Sequence, residues 1–208
     1  NKGSVSITGS GNYLNTDLNS GFNTNDFTIE TWAYVTSILN NNVLFDSRPT
    51  SVDNRTGFYI ILDTSKRIVV GSESINYITS TETINLFEWN HITVTRESNQ
   101  LKLWLNGELI NTYTLTTNLT STDIRIGTNR SGVSVYNGNI SDFKITNGTS
   151  AYTSEFTPPT SPVGNTNASL YLPFDNAGIF DKTGLNTLTL NGNISTSTTQ
   201  TKFADTSI

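Results

Sequence analysis

The chain has 208 residues and a formal net charge of −5, with only 14% charged residues, while Ser, Thr and Asn supply about two-fifths of it, so neutral hydrogen-bonding groups dominate its surface. With no block of like charges, this balance excludes a non-specific grip on nucleic acid or insertion into a membrane, and no apolar run approaches the ~20 residues of a membrane-spanning helix. The absence of Cys and the single His, His91, exclude a disulfide framework, a thiolate zinc site, a cysteine nucleophile and a multi-histidine metal centre.

The length suits one large β domain or two small ones. Because the sequence opens at Asn1 rather than at a Met, we expect a piece of a longer chain, whose targeting signals lie elsewhere. Apolar residues recur with period two in short runs between clusters of Asn, Gly, Ser and Asp, which predicts half-buried antiparallel strands and no helix. In chain order the runs cover residues 4–14, 27–35, 43–46, 57–63, 67–72, 91–97, 101–105, 109–115, 123–126, 139–145, 169–174 and 187–190. In the second of them Phe27, Ile29, Ala33 and Val35 share one face and Thr28, Glu30, Trp32 and Tyr34 the other. Residues 86–95 read as a loop entering a strand, with Ile92 and Val94 inward and Trp89 plugging the end of the sandwich. Asn106 and Gly107 lie between two alternating runs, and this pair supplies the positive φ values of a two-residue hairpin turn. The proline-rich stretch at 157–162 reads as an extended crossing between sheets or a linker. So many strands at near-regular spacing imply an all-β sandwich or barrel.

The stretches FTIETWAYV (27–35), WNHITV (89–94), LKLWLNGE (101–108), IG (126–127) and NGNISDFKI (137–145), in this order, resemble laminin G-like domains of the concanavalin A-like lectin/glucanase superfamily. SAYTSEFTPP (150–159) resembles the tail of such modules in phage tail-fibre and other virion proteins. The resemblance implies a two-sheet antiparallel β-sandwich, a jelly roll, whose members commonly bind glycans or protein partners and sometimes hold calcium. Residues 1–162 are then the laminin G-like sandwich, and 163–208 either complete it or lead into a following module. The similarity of residues 202–208 to 1–7 raises the expectation of one module from a tandem array.

Glucan hydrolysis with retention requires two carboxyls about 5–5.5 Å apart, readable on a strand as alternating acids. Here Glu30 stands alone on its strand and the other acids are scattered, so the sequence points away from an enzyme. His91 has no spaced nucleophile or orienting acid and reads as structural or surface, and no phosphate-binding glycine loop is present. For calcium, which takes about six to eight oxygen ligands, the resemblance points to the 8–12 turn and the 139–142 strand, with Asn12, Asn139 and Asp142 as candidate ligands; relatives often carry Asp in the turn where this chain has Thr8 and Asn12, which leaves Asp142 the one clear anion and lowers the expected affinity. Glycan recognition combines an aromatic platform with amide, carboxylate or guanidinium groups, and three loops supply them: Arg48, Asp53, Asn54 and Arg55 in the first, Tyr77 in the second, and Asn129, Arg130 and Tyr136 in the third. Trp32 and Trp104, opposite the core faces, read as half-buried packing rather than sugar platforms. The reading is therefore a non-catalytic carbohydrate-binding or adhesion module, extracellular or on a virion surface, with host-surface glycan as partner. Its alternatives are a structural spacer forming homo-oligomers within a fibre and, behind that, a glycan hydrolase.

Overall fold

A computed structural model describes residues 3–51, 55–175 and 178–203. These form fifteen strands: β1 (Ser4–Ile7), β2 (Tyr13–Asp17), β3 (Phe27–Val35), β4 (Asn42–Asp46), β5 (Tyr59–Leu62), β6 (Arg67–Ser72), β7 (Ile75–Thr83), β8 (Trp89–Glu97), β9 (Gln100–Leu105), β10 (Glu108–Thr114), β11 (Asp123–Ile126), β12 (Gly138–Asn147), β13 (Leu170–Leu172), β14 (Thr189–Asn191) and β15 (Ser195–Ser197). One sheet runs β10-β9-β8-β3-β12-β1-β15, with β13 also paired to β12, and the other runs β14-β2-β11-β4-β5-β6-β7. All pairings are antiparallel, and no described residue is helical. The strands of residues 163–203 join both sheets, β13 and β15 the first and β14 the second.

The period-two pattern buries one face of each sheet against the other. Phe27, Ile29, Ala33 and Val35 of β3 meet Phe45, Ile60, Leu62, Val70 and Ile126 of the opposite layer in one apolar core. Phe22, Phe27, Phe45 and Phe58 form its densest part, with neighbouring ring centroids 4.7–5.7 Å apart. At the edge of this cluster Arg96 is fully buried. Its guanidinium lies over the Phe27 ring at 5.2 Å and donates to the carbonyls of Asn23, Asn25 and Thr117 at 2.6, 2.7 and 3.2 Å. It ties two loops to β8 through backbone carbonyls, of which that of Asn23 also accepts the Leu119 amide.

Three local outcomes refine the sequence reading. The run 4–14 is two strands in different sheets, because Gly9 and Gly11 at φ +84° and +81° turn the chain between them. Residues 75–77, read as part of a loop, open β7. The hairpin at Asn106 and Gly107 has both residues at positive φ, +52° and +85°, and Gly107 serves a second purpose: a Cβ there would lie 1.8 Å from the Phe156 carbonyl oxygen.

That contact belongs to a strap, residues 148–163, laid across the outer face of the first sheet. Thr28 donates to the Thr149 carbonyl and accepts from the Ala151 amide. Tyr152 donates to Glu30 at 2.8 Å and stacks on Phe156 at 3.7 Å. Phe156 in turn covers Trp104 and His91, both at 5.8 Å, and the strap ends with the Val163 amide on Asp142. The prolines at 158, 159 and 162 suit this extended course, since a chain lying on side chains has no ladder to donate to.

Candidate functional site

With one outer face roofed by the strap, the other sheet carries the open, chemically equipped surface. Register places Arg125 of β11 between Asn15 of β2 and Asp46 of β4, and Asp46 opposite Tyr59 of β5. The neighbours Leu14, Ile124, Phe45 and Ile60 fill the core, so alternation turns this row outward. Asp46 is nonetheless fully buried, because the chain folds over it. It accepts the backbone amides of Arg48 and Arg130, both at 2.9 Å, and the Arg48 Nε and Nη2 at 3.0 and 2.7 Å. The Arg48 guanidinium lies over the Tyr59 ring at 4.6 Å. Glu73 bridges the cluster, 2.7 Å from Arg130 Nη2 and 3.6 Å from Arg48 Nη1, while Arg125 Nη1 donates to the Arg48 carbonyl at 3.0 Å.

Burial by itself would lower the Arg48 guanidinium, but the bonds and charge of Asp46 outweigh it and hold Arg48 above the usual arginine value. Burial, reinforced by the charges of Asp46 and Glu73, raises Tyr59 despite Arg48 beside it. Both side chains therefore present fixed protonation states at neutral pH, as a cation and a neutral phenol.

The loop between β11 and β12 rises over this cluster. Asn129 Oδ1 accepts the amides of Ser131 and Val133 at 3.2 and 3.1 Å, Thr128 bridges to Val135, and Gly132 turns at φ +73°. The loop is thus stiffened from within, and it divides two clefts that share Asn129. One, of about 250 Å³, is lined by Tyr13, Asn15, Thr50, Arg125, Asn129 and Arg130, among others. Its neighbour, of about 180 Å³, is lined by Asn41, Val43, Arg48, Tyr59, Ile61 and Ser134. Phenol rings, amides and guanidiniums held in one plane can stack on a sugar ring and bond its hydroxyls. The buried Asp46 carboxylate, enclosed by four donors, has no access to a substrate as acid, base or nucleophile.

The structure brings together Arg48, Asn129 and Arg130 of the residues anticipated for ligand contact. Asp53 and Asn54 lie outside the described residues, and Arg55, at φ +64°, is exposed and lines neither cleft. Two anticipated contacts are corrected. Tyr77 is buried in β7 with its ring 5.0 Å from Tyr113, where the edges of the two sheets meet. Tyr136 is wholly buried, its hydroxyl 3.2 Å from the carbonyls of Tyr34 and Asn139, because the loop re-enters the core one residue earlier than its polar composition suggests.

The residues anticipated as calcium ligands, Asn12, Asn139 and Asp142, enter three different hydrogen-bond networks. Asn12 holds its own turn through Thr8 and accepts the Asn193 amide, and Asn139 donates to Ser4. Asp142 sits at φ +55° in a β-bulge that folds it under the strap, where Tyr171 and Val163 donate to its two oxygens at 2.7 and 2.9 Å. Burial raises its pKa. Among the described residues no three His, Cys, Asp or Glu side chains are grouped as a metal site.

Sequence reasoning missed Tyr13, Asn15, Asp46, Tyr59 and Arg125, because it searched loops and these residues lie on or at the ends of strands. Their signal was the same alternation that located the core, read for the opposite face. Trp104, against Phe156 of the strap, and Trp32, against Lys202 and Phe203, are buried rather than half-buried. His91 is buried beside Trp32, and burial together with the Lys202 charge pushes it down to about 3. Burial raises Glu30 against the opposing Tyr152 bond as it lowers His91, so their 3.8 Å approach joins two groups that burial holds toward neutrality rather than an ion pair.

The sequence model of a laminin G-like family, described as the Concanavalin A-like lectin/glucanases superfamily, matches residues 8–155. No curated protein sequence matches the chain. Among solved structures, a Bacteroides ovatus protein provisionally described as carbohydrate-binding aligns with a TM-score of 0.74 at 18% identity, over 95% of this chain and 61% of its own length. The native heptameric SAP-like pentraxin of Limulus polyphemus aligns at 0.64 and 12% identity, over 94% of each chain. The LG4-5 domains of the mouse laminin α1 chain align at 0.53 and 15% identity, over 69% of this chain and 40% of theirs. At these identities the likeness is one of fold.

Proposed function

Because the chain belongs to the concanavalin A-like lectin/glucanase superfamily, we propose that it is a non-catalytic carbohydrate-binding module that holds glycan in the two clefts flanking the 128–135 loop. The observation that carries this reading is the preorganised cluster around Asp46. Arg48 and the Arg130 backbone are locked by a fully buried carboxylate, with the Tyr59 face, Asn129 and Arg125 arranged on the same open sheet surface. Groups fixed before binding lose little entropy on association, which weak sugar contacts require. The provisional description of the Bacteroides ovatus relative as carbohydrate-binding agrees with it.

A non-catalytic role is supported by the state of the carboxylates at the clefts, since Asp46 is enclosed and Glu73 is bound to Arg130. A setting on a virion or other extracellular surface, with host-surface glycan as the partner, rests on the resemblance of residues 150–159 to tail-fibre modules. The test is a glycan array read at millimolar-range sensitivity with the wild type and Arg48→Ala. Binding that the substitution weakens at least tenfold supports the proposal, and an array blank throughout refutes it.

A second reading, association between copies in a fibre, has one observation in its favour. Leu39 and Val133 are 79% and 73% exposed and line a common groove of about 200 Å³ beside the clefts. A monomer by light scattering at high concentration removes it.

A further inference from the structure

The larger cleft has a chemical bias that the reading of a sugar site does not by itself contain. Two guanidiniums, Arg125 and Arg130, line it, and none of the carboxylates paired with the cluster, Asp46, Glu73 or Asp123, is part of its wall. In a chain with net charge −5, three of its six arginines meet at this one surface.

The two amides of the wall reinforce the bias. Asn129 spends its oxygen on the amides of Ser131 and Val133, and Asn15 spends its oxygen on Asn191 at 2.7 Å. Each is thereby oriented with its NH2 end as the group left to meet a ligand. The Arg125 fork is held on one side by the Arg48 carbonyl and on the other lies 3.7 Å from the Asp123 carboxylate, which together fix its plane. Among the described residues of the wall the charged groups are both cations and the oriented amides are donors, which suits an acceptor-only, negatively charged group. At about 250 Å³ the cleft lies below the ~300–1,000 Å³ of ordinary small-molecule sites, so it suits one sugar residue rather than a long stretch of chain.

We propose that this cleft is a subsite for an acidic sugar. The carboxylate or sulfate of a single residue is bound between Arg125 and Arg130, with the Asn15 and Asn129 amides donating and the Tyr13 ring beside the sugar. The proposal rests on the glycan-binding reading and adds the substrate class.

The experiment is an array of uronate-, nonulosonate- and sulfate-bearing oligosaccharides beside their neutral carboxyl-reduced or desulfated counterparts, followed by calorimetry on the best pair. Acidic members should bind at least tenfold tighter than their neutral counterparts, with affinity falling as salt rises. Preference for carboxylates over sulfates, or the reverse, supports the subsite and identifies its source of charge. Thr50 is exposed at the cleft, so Thr50→Asp adds a repelling charge at a solvent-facing position with little risk to folding. It should cost the acidic glycan tenfold or more and its neutral counterpart little. Equal binding of acidic and neutral members, or an equal effect of Thr50→Asp on both, overturns the acidic subsite while leaving the glycan reading intact. A wholly blank array overturns both.

Discussion

Replacing Asp46 by Ala removes the acceptor around which the open face is built, and its cost follows from what is left behind. Two backbone amides and two guanidinium N–H groups lose a buried charged partner. A hydrogen bond to a charged group contributes about 1.5–3 kcal/mol, but the four are not additive, because Arg48 is itself partly exposed and can swing toward Glu73, already 3.6 Å away. Breaking a buried pair from one side costs about 3–5 kcal/mol, and we expect this range for Asp46→Ala. For a domain of this size it is a fall in Tm of about 6–20 °C. Asp46→Asn, which keeps one acceptor oxygen but turns an NH2 toward the same donors, should cost about 2 kcal/mol. Urea unfolding followed by tryptophan fluorescence measures both. A double-mutant cycle with Arg48→Ala should show a coupling of at least about 1.5 kcal/mol. An Asp46→Ala protein within about 1 kcal/mol of wild type would refute the claim that this carboxylate organises the surface.

Other perturbations test other parts of the structure. Gly107→Ala meets both a positive φ and the Phe156 carbonyl, so it should destabilise by about 3 kcal/mol or more, whereas Gly132→Ala, at φ +73° in open space, should cost about 1 kcal/mol. Equal melting temperatures for the pair would contradict the strap contact. Arg96→Met removes the guanidinium donors from the carbonyls of Asn25 and Thr117 and leaves that of Asn23 with the Leu119 amide alone; it should cost about 3 kcal/mol, with faster hydrogen exchange near residues 22–26, and unchanged exchange there would argue against the pin.

His91 is lowered to about 3 in the folded protein, so below its ordinary value near 6.5 the unfolded chain binds a proton that the folded chain does not. Its contribution is complete above pH 6.5 and lost progressively toward pH 3, to a total of about 5 kcal/mol. Glu30 and Asp142, both raised, act oppositely, favouring the folded state below their unfolded values and losing that contribution as pH rises through their folded ones. His91→Gln should therefore flatten the fall of stability between pH 6.5 and 4 in urea titrations; an unchanged slope would show that His91 is not the group responsible. Because Asp142 is saturated by Tyr171 and Val163, millimolar calcium should leave the Tm within about a degree; a larger rise that Asp142→Asn abolishes would overturn the assignment of that carboxylate.

The sequence alone determined the class of the fold. Alternation at Phe27, Ile29, Ala33 and Val35 fixes which face is apolar, and the Asn106 and Gly107 turn is dictated by φ, so both are local consequences of residue type. The same locality let Arg48, Asn129 and Arg130 be identified as outward and polar. What the tertiary structure decided is everything that depends on which strand lies beside which. Asn15, Asp46, Tyr59 and Arg125 are far apart in the chain and become one row only through the order β2-β11-β4-β5. Tyr77, Tyr136 and Asp142 looked available because their neighbours are polar, yet a sheet edge, a re-entering loop and a bulge beneath the strap bury them. Composition reports the preference of each residue for water, but burial is set by what packs on top of it, and here the covering element lies up to a hundred or more residues away in sequence.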